Sequence, residues 1–481
     1  MRHFRIFRVF PLMIVTLVTL SSQAQTQTAA MPQLKITYGA GLNYETYIEG
    51  SMELTDTDGT VTALPAIFKT RGATARKFTG KPSLNMKLRD AEGNEYDTPL
   101  LGLRKSSTFI LDAMAIDRIN MRNRVCFDIW NDFSRLPYET EFDSRNGTEG
   151  RFVELFINDR YKGIYCLSDK INRKLLDLKK PQADEKTGEV TIRGLLYKNG
   201  TNDLGNQNTA GYFNDYTVYV ARYHDAWELH EPEEYASEEV WAPLAELYSG
   251  SNSSSYDFVK KHFWLENLAD YTIHIMALCI SDNWGAKNRY FSIQNISKDD
   301  ERSRFVLTPW DLDSSLGGNY NGDYYGGRYK TWAMGDITKN PPTPLGACMG
   351  NPEFKALLKR RWLEGRLGAF SVESVKKRMT DYANLFIESG AWQRTIDAYN
   401  SNDYIVKDLM EEVRMIGEWY EARFAEMDRY FNVTEADYAD VEAVATEQPR
   451  EQQIYTLQGV RVKAVTAPGL YIVDGKKIMV K

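Results

Sequence analysis

The most informative stretch of this chain reads Asp282-Asn283-Trp284-Gly285-Ala286-Lys287-Asn288-Arg289-Tyr290-Phe291 and, after a polar spacer, Thr308-Pro309-Trp310-Asp311-Leu312-Asp313. An acid and an amide lie close together, and a pair of acids follows a short apolar run. Where proteins handle nucleotide phosphates, such side chains hold divalent ions and position a hydroxyl nucleophile. The alternative is that Asp282, Asn288 and Asp311 only cap helices and turns, as Asp and Asn often do.

The segments around this stretch predict the secondary structure that carries it. Residues 256–280 have the apolar spacing of a helix, which leads directly to Asp282. Strands are predicted at 289–294 and 304–308, so that a hairpin returns the second acid pair to the neighbourhood of the first. The same order, a helix, a loop with Asp and Asn, a hairpin and another Asp, is found in the catalytic lobe of protein kinases.

The N-terminal third of the chain is rich in strand signals. Between residues 33 and 115 apolar and polar residues alternate, and Asp-Gly and Gly-Asn pairs predict turns between the strands. Residues 118–134 change to helical spacing after Asp117, a candidate N-cap. Residues 151–157 and 164–167 then predict a further hairpin.

The rest of the chain divides by composition. Residues 199–255 are acidic and rich in turn residues, which predicts an insertion with some helix. Apolar residues between 403 and 431 recur every three or four positions, so a long helix is expected with its apolar stripe in the core. Residues 433–451 have the composition of an acidic linker, and 454–481 predict a separate small β unit.

The N-terminus has the features of an export signal. Residues 1–24 combine a basic segment with three arginines, an apolar run from Val9 to Leu20 and a small-residue cleavage site at Ser22-Gln23-Ala24. The apolar run is too short to span a bilayer, and no later segment approaches that length. We therefore expect an exported mature chain without a transmembrane segment, located at the cell surface, in the periplasm or outside the cell.

Charge and cysteine content exclude some classes of function. Loss of residues 1–24 removes three arginines and no acids, which changes the formal net charge from −7 to −10. An acidic chain without a basic block is a poor candidate for nucleic-acid binding, so no nucleic-acid partner is expected. The four cysteines lie far apart without any Cys-x-x-Cys pair, which argues against a structural zinc site and favours buried free thiols: Cys126, Cys166, Cys279 and Cys348.

Residues from about 34 to 431 resemble the CotH kinase family, the atypical protein kinases similar to spore coat protein H. The motifs that carry the resemblance occur in the family's order: Arg71-Gly72 with Lys81-Pro82-Ser83, Leu101-Gly102-Leu103-Arg104-Lys105, Met121-Arg122-Asn123, the run from Phe156 to Tyr165, Gly194-Leu195-Leu196-Tyr197-Lys198, Asp282, and Trp310-Asp311-Leu312-Asp313. The C-terminal pattern Tyr455-x-Leu457-x-Gly459, followed by Gly469-x-Tyr471-Ile472-Val473-x-Gly475-Lys476-Lys477, is similar to the sorting tails of exported Bacteroidetes proteins.

The resemblance implies an α+β fold of two lobes, an atypical protein-kinase-like arrangement with a β-rich N-lobe and a helical C-lobe. The kinase-like domain would cover residues 33–432, with the N-lobe at about 33–190, the insertion at about 199–255 and the C-lobe at about 256–432. The acidic linker at 433–451 and the small C-terminal β unit at 452–481 would follow. The tail would then be the segment that engages secretion machinery.

The resemblance also implies a reaction: transfer of the ATP γ-phosphate to a Ser or Thr of an exported or surface protein, with Mg²⁺ or Mn²⁺ as the metal. The implied site residues have separate roles. Asp282 would be the catalytic acid–base, Lys81 and Arg122 would contact the nucleotide, and Asn288, Asp311 and Asp313 would hold metal. Lys81 has the alternative of an ordinary exposed lysine, and Arg122 that of an ion pair anchoring a helix.

Two other functions remain open at this stage. The chain could be a catalytically weak or inactive kinase-like module for surface binding or adhesion, since a fold does not fix a function. It could also be a carbohydrate-active protein in which Asp282 and Asp311 are the paired carboxylates. The N-terminal half contains no Gly-x-Gly-x-x-Gly loop, and Asp169 replaces the Glu that the family usually has there.

Overall fold

The computed structural model describes residues 30–72, 81–138, 144–199, 219–220, 223–224, 227–235, 237–248, 255–283, 288–319, 345–399 and 405–437, and short strands between 454 and 480. The predicted signal peptide and most of the predicted linker lie outside these residues. All four cysteines are buried and free, as the sequence predicts. None of the described helices is long and apolar enough to cross a membrane.

The N-terminal strands close into a seven-stranded barrel in the order β1-β2-β3-β4-β5-β7-β6. The strands are β1 (Gln33–Tyr38), β2 (Ile48–Thr55), β3 (Val61–Arg71), β4 (Ser83–Leu88), β5 (Thr108–Asp112), β6 (Gly150–Ile157) and β7 (Arg160–Asp169). Because alternate residues of a strand point to opposite faces, Leu34, Phe68 and Met86 fill the interior while their neighbours face outward. The expected two-lobed form did not include a closed barrel, and parallel pairing of β1 with β6 completes it.

The predicted hairpin of 151–157 and 164–167 is present as β6 and β7. Its tight turn is made by Asn158 and Asp159, and both residues have positive φ angles, 49° and 61°. Asn and Asp tolerate this left-handed conformation better than other side chains, and two such residues in a row suit a two-residue hairpin turn. The turn is therefore only two residues long, and β7 begins at Arg160, four residues before the predicted start of that strand at 164.

A second sheet lies outside the barrel, with strands in the order β11-β12-β13-β10-β14-β15. After the short ribbon of β8 (Gln182–Ala183) and β9 (Val190–Thr191), these strands are β10 (Leu195–Asn199), β11 (Tyr219–Val220), β12 (Tyr223–His224), β13 (Trp227–Glu231), β14 (Arg289–Ile293) and β15 (Phe305–Pro309). The hairpin predicted next to Asp282 is β14 and β15. The segment predicted as an insertion supplies β11 to β13, so this part of it belongs to the main fold.

Helices make up most of the remaining described structure. They are α1 (Arg122–Phe133), α2 (Glu238–Tyr248), α3 (Tyr256–His262), α4 (Leu265–Leu278), α5 (Leu345–Met349), α6 (Pro352–Arg366), α7 (Val372–Glu388), α8 (Ala391–Ala398) and α9 (Leu409–Tyr430). The chain thus has a mixed α/β fold. The long stripe predicted at 403–431 is the buried face of α9, which includes Leu409, Val413 and Ile416.

Two predicted helices have different boundaries in the structure. The helix expected at 256–280 is broken between α3 and α4, because Phe263 forms a parallel bridge to Phe305 and the Trp264 N–H donates to the Phe305 carbonyl. The helix expected at 118–134 begins at Arg122. Asp117 still contributes, since its carboxylate accepts the backbone N–H groups of Met121 and Arg122 at 2.7 Å.

A large hydrophobic core joins the second sheet to the helices. Helix α4 is buried along nearly its whole length, and it leads into a short 3₁₀ turn at Ser281–Asn283. Cys279 ends the helix in the left-handed conformation, with φ of 54°, and redirects the chain. A rigid buried helix thus delivers Asp282 to the end of the β14–β15 hairpin, where Asp311 also lies.

Gly365 in α6 is a place where packing leaves no room for a side chain. A Cβ atom there would lie 2.8 Å from ring carbons of both Phe133 and Phe370, which pack edge to face with centroids 4.8 Å apart. We expect Gly365→Ala to lower the free energy of unfolding by about 1–3 kcal/mol, as overpacking does. Gly368→Ala is the matched control, because nothing lies within 4 Å of its added Cβ. Urea denaturation of both variants checks this, and equal stabilities would contradict it.

The C-terminal residues form a small four-stranded sheet of their own. Its strands are β16 (Ile454–Thr456), β17 (Arg461–Val462), β18 (Gly469–Val473) and β19 (Lys476–Val480), in the order β17-β16-β18-β19. All described pairs in this sheet are antiparallel. The strands expected in this segment are therefore present.

Candidate functional site

Asn283 ties together the two loops that carry the predicted acids. Its side-chain Nδ2 donates to the backbone carbonyls of Asn288 at 2.7 Å and Trp310 at 2.6 Å. The Trp310 N–H in turn donates to the Asn288 carbonyl at 2.9 Å. Asn283 is fully buried, so these bonds form in a place that water does not reach. The amide thus fixes the start of β14 against the end of β15.

Asn288 and Asp282 are in direct contact, as the sequence predicts for one site. Asn288 Nδ2 donates to Asp282 Oδ2 at 2.9 Å. This bond uses the amide N–H and leaves the amide oxygen, which is the atom that binds metals, outside it. Asn288 and Asp311 both have φ of 60°, the left-handed conformation that Asn and Asp adopt more readily than other residues with a side chain.

Asp112 joins this site from the barrel, although no sequence motif singled it out. It ends β5, and its carboxylate accepts hydrogen bonds from Asn123 Nδ2 at 2.6 Å and from the Met114 N–H at 3.1 Å. Asn123 Oδ1 accepts the backbone N–H of Leu312 at 3.0 Å. Asn123, at the start of α1, therefore connects Asp112 to the segment between Asp311 and Asp313.

The carboxylates of this site repel one another. Desolvation raises the pKa of the Asp311 carboxyl, and the charges of Asp282 and Asp112 raise it further. Because the Asp311 side chain is exposed to water, we give the repulsion more weight than the desolvation. Burial raises the pKa of Asp313 well above its usual range, and the charges of Asp311 and Asp112 add to the effect. The cluster is thus short of positive charge.

Two cations act on Asp311, one from the barrel and one from the second sheet. Arg71 ends β3, and its guanidinium lies 4.9 Å from the centre of the Trp310 ring. Lys198 lies on β10 opposite Tyr290 of β14 and Glu228 of β13. Both cations lower the pKa of Asp311 and so partly offset the neighbouring carboxylates.

Lys170, directly after β7, is a further cation that lies close enough to Arg71 for their charges to interact. Burial lowers the pKa of its ammonium, Glu233 favours the charged form, and Lys87 and Arg71 disfavour it. A cation of the barrel and a cation of the second sheet thus act on the same carboxylate. Arg71 and Lys198 each lie in a sequence motif quoted above. Those motifs were the signal from which both residues could have been predicted as site residues.

Lys81 lies apart from the cations that act on Asp311. It precedes β4 and is buried, so the alternative of an exposed lysine is wrong. Its Nζ donates to Asn120 Oδ1 at 2.9 Å and to the Ile164 carbonyl at 2.7 Å, and lies 4.8 Å from the centre of the Tyr165 ring. Burial lowers its pKa to about 7, although Asp112 and Asp117 favour the charged form. The Lys81 ammonium is thus bound by Asn120 and by the Ile164 carbonyl of the barrel.

Arg122 is also buried and pairs with Asp117 through Nη1. This is the ion pair that the sequence left open as the alternative to nucleotide contact. A Cβ atom at Gly318 would lie 3.4 Å from Arg122 Nε, so the guanidinium lies close to the backbone that follows Asp313. Among the described residues, Arg122 Nε and Nη2 have no hydrogen-bond partner, and the ion pair with Asp117 uses Nη1.

The donor set of the site suits a hard divalent cation. Its side chains offer carboxylate oxygens and one amide oxygen, which are the ligand atoms that Mg²⁺ and Mn²⁺ prefer. They belong to Asp311, Asp313, Asp282 and Asn288. Mg²⁺ is commonly held by one or two carboxylates together with substrate phosphates, and does not need an all-protein cage. In the part of the chain that the structure describes, no three His, Cys, Asp or Glu side chains converge closely enough to hold a metal by themselves. Any divalent cation bound here would therefore need further ligands, such as phosphate oxygens.

Comparison with known proteins places the chain in a family. Among curated proteins none matches this chain. The family model described as CotH kinase protein matches residues 68–427, which include the barrel from the end of β3 onward, the second sheet and the helices through most of α9. The match covers every residue of the carboxylate cluster and the cations around it. The chain therefore belongs to the CotH kinase family and is a kinase-like protein.

Proposed function

We propose that this chain is a two-lobed kinase that transfers the γ-phosphate of ATP to a serine or threonine hydroxyl of a protein substrate. The barrel would be the N-lobe, and the second sheet with the helices would be the C-lobe. The observation that carries the proposal is that Arg71 and Lys198 both act on Asp311, which belongs to the same site as the Asn288–Asp282 contact. Cations beside acidic and amide oxygens support the proposal, because a triphosphate is bound by cationic side chains together with a metal ion.

In this proposal each described residue has one task. Arg71 and Lys198 bind phosphate oxygens, and Asp282 accepts the proton of the acceptor hydroxyl. The hydroxyl oxygen attacks the γ-phosphorus, the bond to the β–γ bridging oxygen breaks, and ADP leaves. The 2.9 Å hydrogen bond from Asn288 to Asp282 Oδ2 holds the carboxylate in place.

A divalent cation, Mg²⁺ or Mn²⁺, supplies charge neutralisation for the phosphates when bound, and Asn288, Asp311 and Asp313 would hold it. Asp112 and Asn123 position the Asp311–Asp313 segment through the Leu312 N–H. Arg122 pairs with Asp117, so we assign it a structural role in place of nucleotide contact. Lys81 donates to Asn120 and to the Ile164 carbonyl, and we assign it the same kind of role.

Phosphate transfer itself is tested with the mature chain, residues 25–481, incubated with radiolabelled ATP, Mn²⁺ or Mg²⁺ and a mixture of acceptor proteins. Acid hydrolysis of the products should yield phosphoserine or phosphothreonine. Asp282→Asn should lose transfer while it keeps ATP binding, because the base is not a phosphate ligand. ATP binding without any transfer by the wild type would instead favour the binding or adhesion function.

Arg71→Met and Lys81→Met form a matched pair that tests which cation contacts the nucleotide. Arg71→Met should weaken ATP binding by about tenfold or more, since a charge-assisted phosphate contact contributes roughly 1.5–3 kcal/mol. Lys81→Met should lower the melting temperature, because buried acceptors lose their donor, and should leave ATP affinity nearly unchanged. Titration calorimetry of both variants decides the point. The opposite pattern would return the nucleotide role to Lys81.

We further propose that residues 1–24 direct export and that the C-terminal strands engage the secretion machinery, with the acceptor an exported or surface protein. The mature chain would then act at the cell surface, in the periplasm or outside the cell. Fractionation of cells that express the chain with and without residues 452–481 separates these locations.

A further inference from the structure

A pair of lysines on the outer face of the barrel has a shared aromatic partner. Lys69 of β3 and Lys87 of β4 each place their Nζ 5.0 Å from the centre of the Tyr47 ring. The strand register explains the arrangement: Lys69 lies opposite Asn85, two residues before Lys87, and Tyr47 directly precedes the β2 residue that pairs with Phe68. Two like charges are thus held at diagonal positions of one sheet surface with a single ring between them.

These two ammonium groups lack a negative partner within the described residues. Neither lysine has a hydrogen bond or an ion pair there, and the Nζ of each contacts the Tyr47 ring. The carboxylates that act on the Tyr47 hydroxyl include Glu233, which also acts on Lys170, and Glu95, which pairs with Arg89 at 3.6 Å. Like charges at neighbouring positions of a sheet repel each other, and an external anion would remove that repulsion.

The surface continues into the proposed phosphate site. Arg71 lies two residues after Lys69 on β3 and therefore on the same face of the strand, and its guanidinium contacts Trp310, next to Asp311. Tyr47 and both lysines are half-buried, so they are accessible yet held by their surroundings. A polypeptide whose hydroxyl lies at Asp282 would have this basic surface within reach along the barrel wall.

We propose that Tyr47, Lys69 and Lys87 form a docking surface for carboxylate side chains of the acceptor polypeptide, so that acidic segments are the preferred substrates. The inference rests on the proposed function, since an acceptor is needed only if phosphate is transferred. Charge complementarity carries the inference. In a chain that is acidic overall, Lys69 and Lys87 form a local basic surface without a carboxylate partner among the described residues, and Lys69 lies on the same face of β3 as Arg71. Arg71 and Lys198, which act on Asp311, remain with the nucleotide.

Fluorescently labelled peptides test the surface without requiring catalysis. Each peptide has one serine, flanked by glutamates, by glutamines or by lysines. The wild type should bind the glutamate peptide about tenfold more tightly than the glutamine peptide, and high salt should reduce the difference. The combined variant Lys69→Glu with Lys87→Glu should lose the preference. The corresponding Gln variants, which keep much of the stem that packs on Tyr47, should show an intermediate effect.

Lys105→Glu is the control, because Lys105 is an exposed lysine of the same barrel. It should behave as the wild type does. A wild type that binds the glutamate and glutamine peptides equally, or a control that loses as much affinity as the double variant, would overturn the proposal. The thermal shift with ATP and Mn²⁺ is measured on every variant: its loss in the double variant would assign the lysines to the nucleotide. Its absence in the wild type would defeat the proposed kinase function, while the peptide preference would still decide the docking surface.

Discussion

Asp311→Asn is expected to reduce phosphate transfer about a thousandfold, because a bound metal contributes several kcal/mol to such reactions and this change removes a charged ligand. The same variant should be more stable than the wild type without ligands. Asp311 lies next to other carboxylates that disfavour its charge, so the neutral amide relieves a repulsion. Loss of activity together with a gain in stability is the pattern expected of a site residue.

The sign of the stability effect follows from the direction of the pKa shift. A carboxyl whose pKa is raised on folding binds its proton more tightly in the folded protein, so stability falls as pH rises from about 4 through the raised pKa. At neutral pH the Asp311 charge therefore costs stability. After allowance for solvent screening of this exposed group, we expect a rise in melting temperature of roughly 1–3 °C for Asp311→Asn.

Asp300→Asn is the matched control for this experiment. Hydrogen bonds from Arg302 lower the pKa of Asp300 to about 2, so loss of its charge should not stabilise the protein. Its activity should stay at the wild-type level. A melting temperature that falls in Asp311→Asn, or rises equally in both variants, would contradict the repulsion described here.

Asn283→Asp has the largest expected effect on stability. The change keeps the shape of the side chain but replaces the N–H group that donates to the Asn288 and Trp310 carbonyls with an oxygen. The buried carbonyls of Asn288 and Trp310 then lose their donor and lie next to a carboxyl oxygen, which is either another acceptor or negatively charged. We expect a loss of about 3–5 kcal/mol in the free energy of unfolding, which is typical of an uncompensated buried polar group.

The variant should also lose metal-dependent ATP binding, since Asn283 holds the loops that carry Asn288 and Asp311. Chemical denaturation gives the stability, and calorimetry under folding conditions gives the binding. Asn94→Asp, in an exposed turn where the amide donates to Asp90 at 3.1 Å, makes the same chemical change at the surface. It should cost under about 1 kcal/mol, as surface substitutions do. Equal losses in the two variants would show that the buried amide is not the hub described above.

The sequence predicted the parts of this site whose signals are local. Asp282, Asn288 and the Asp311–Asp313 pair stand out because acids and an amide bracket two apolar runs, and the β14–β15 hairpin joins them as expected. Helix α9 was equally visible, because its apolar residues recur at helical spacing over many turns.

Other features depend on contacts between distant segments and have no local signal. Barrel closure requires β1 to pair with β6, more than a hundred residues later. Asp112 ends an ordinary strand and becomes part of the site only because Asn123 and Leu312 reach it. Lys81 was selected as a flexible ammonium in a motif, yet the fold buries it. The break between α3 and α4 arises because Phe263 joins the sheet edge at Phe305, which helical spacing alone does not reveal.

The most direct test of the proposed function is a thermal shift of the mature protein with ATP and Mg²⁺ or Mn²⁺, measured for the wild type beside Asp311→Ala. We predict a metal-dependent rise in melting temperature for the wild type and its absence in the variant. That result would support a nucleotide-metal site between Asp311 and the cations Arg71 and Lys198. No shift in the wild type at millimolar ATP would contradict the kinase function and favour a surface-binding role for this CotH family member.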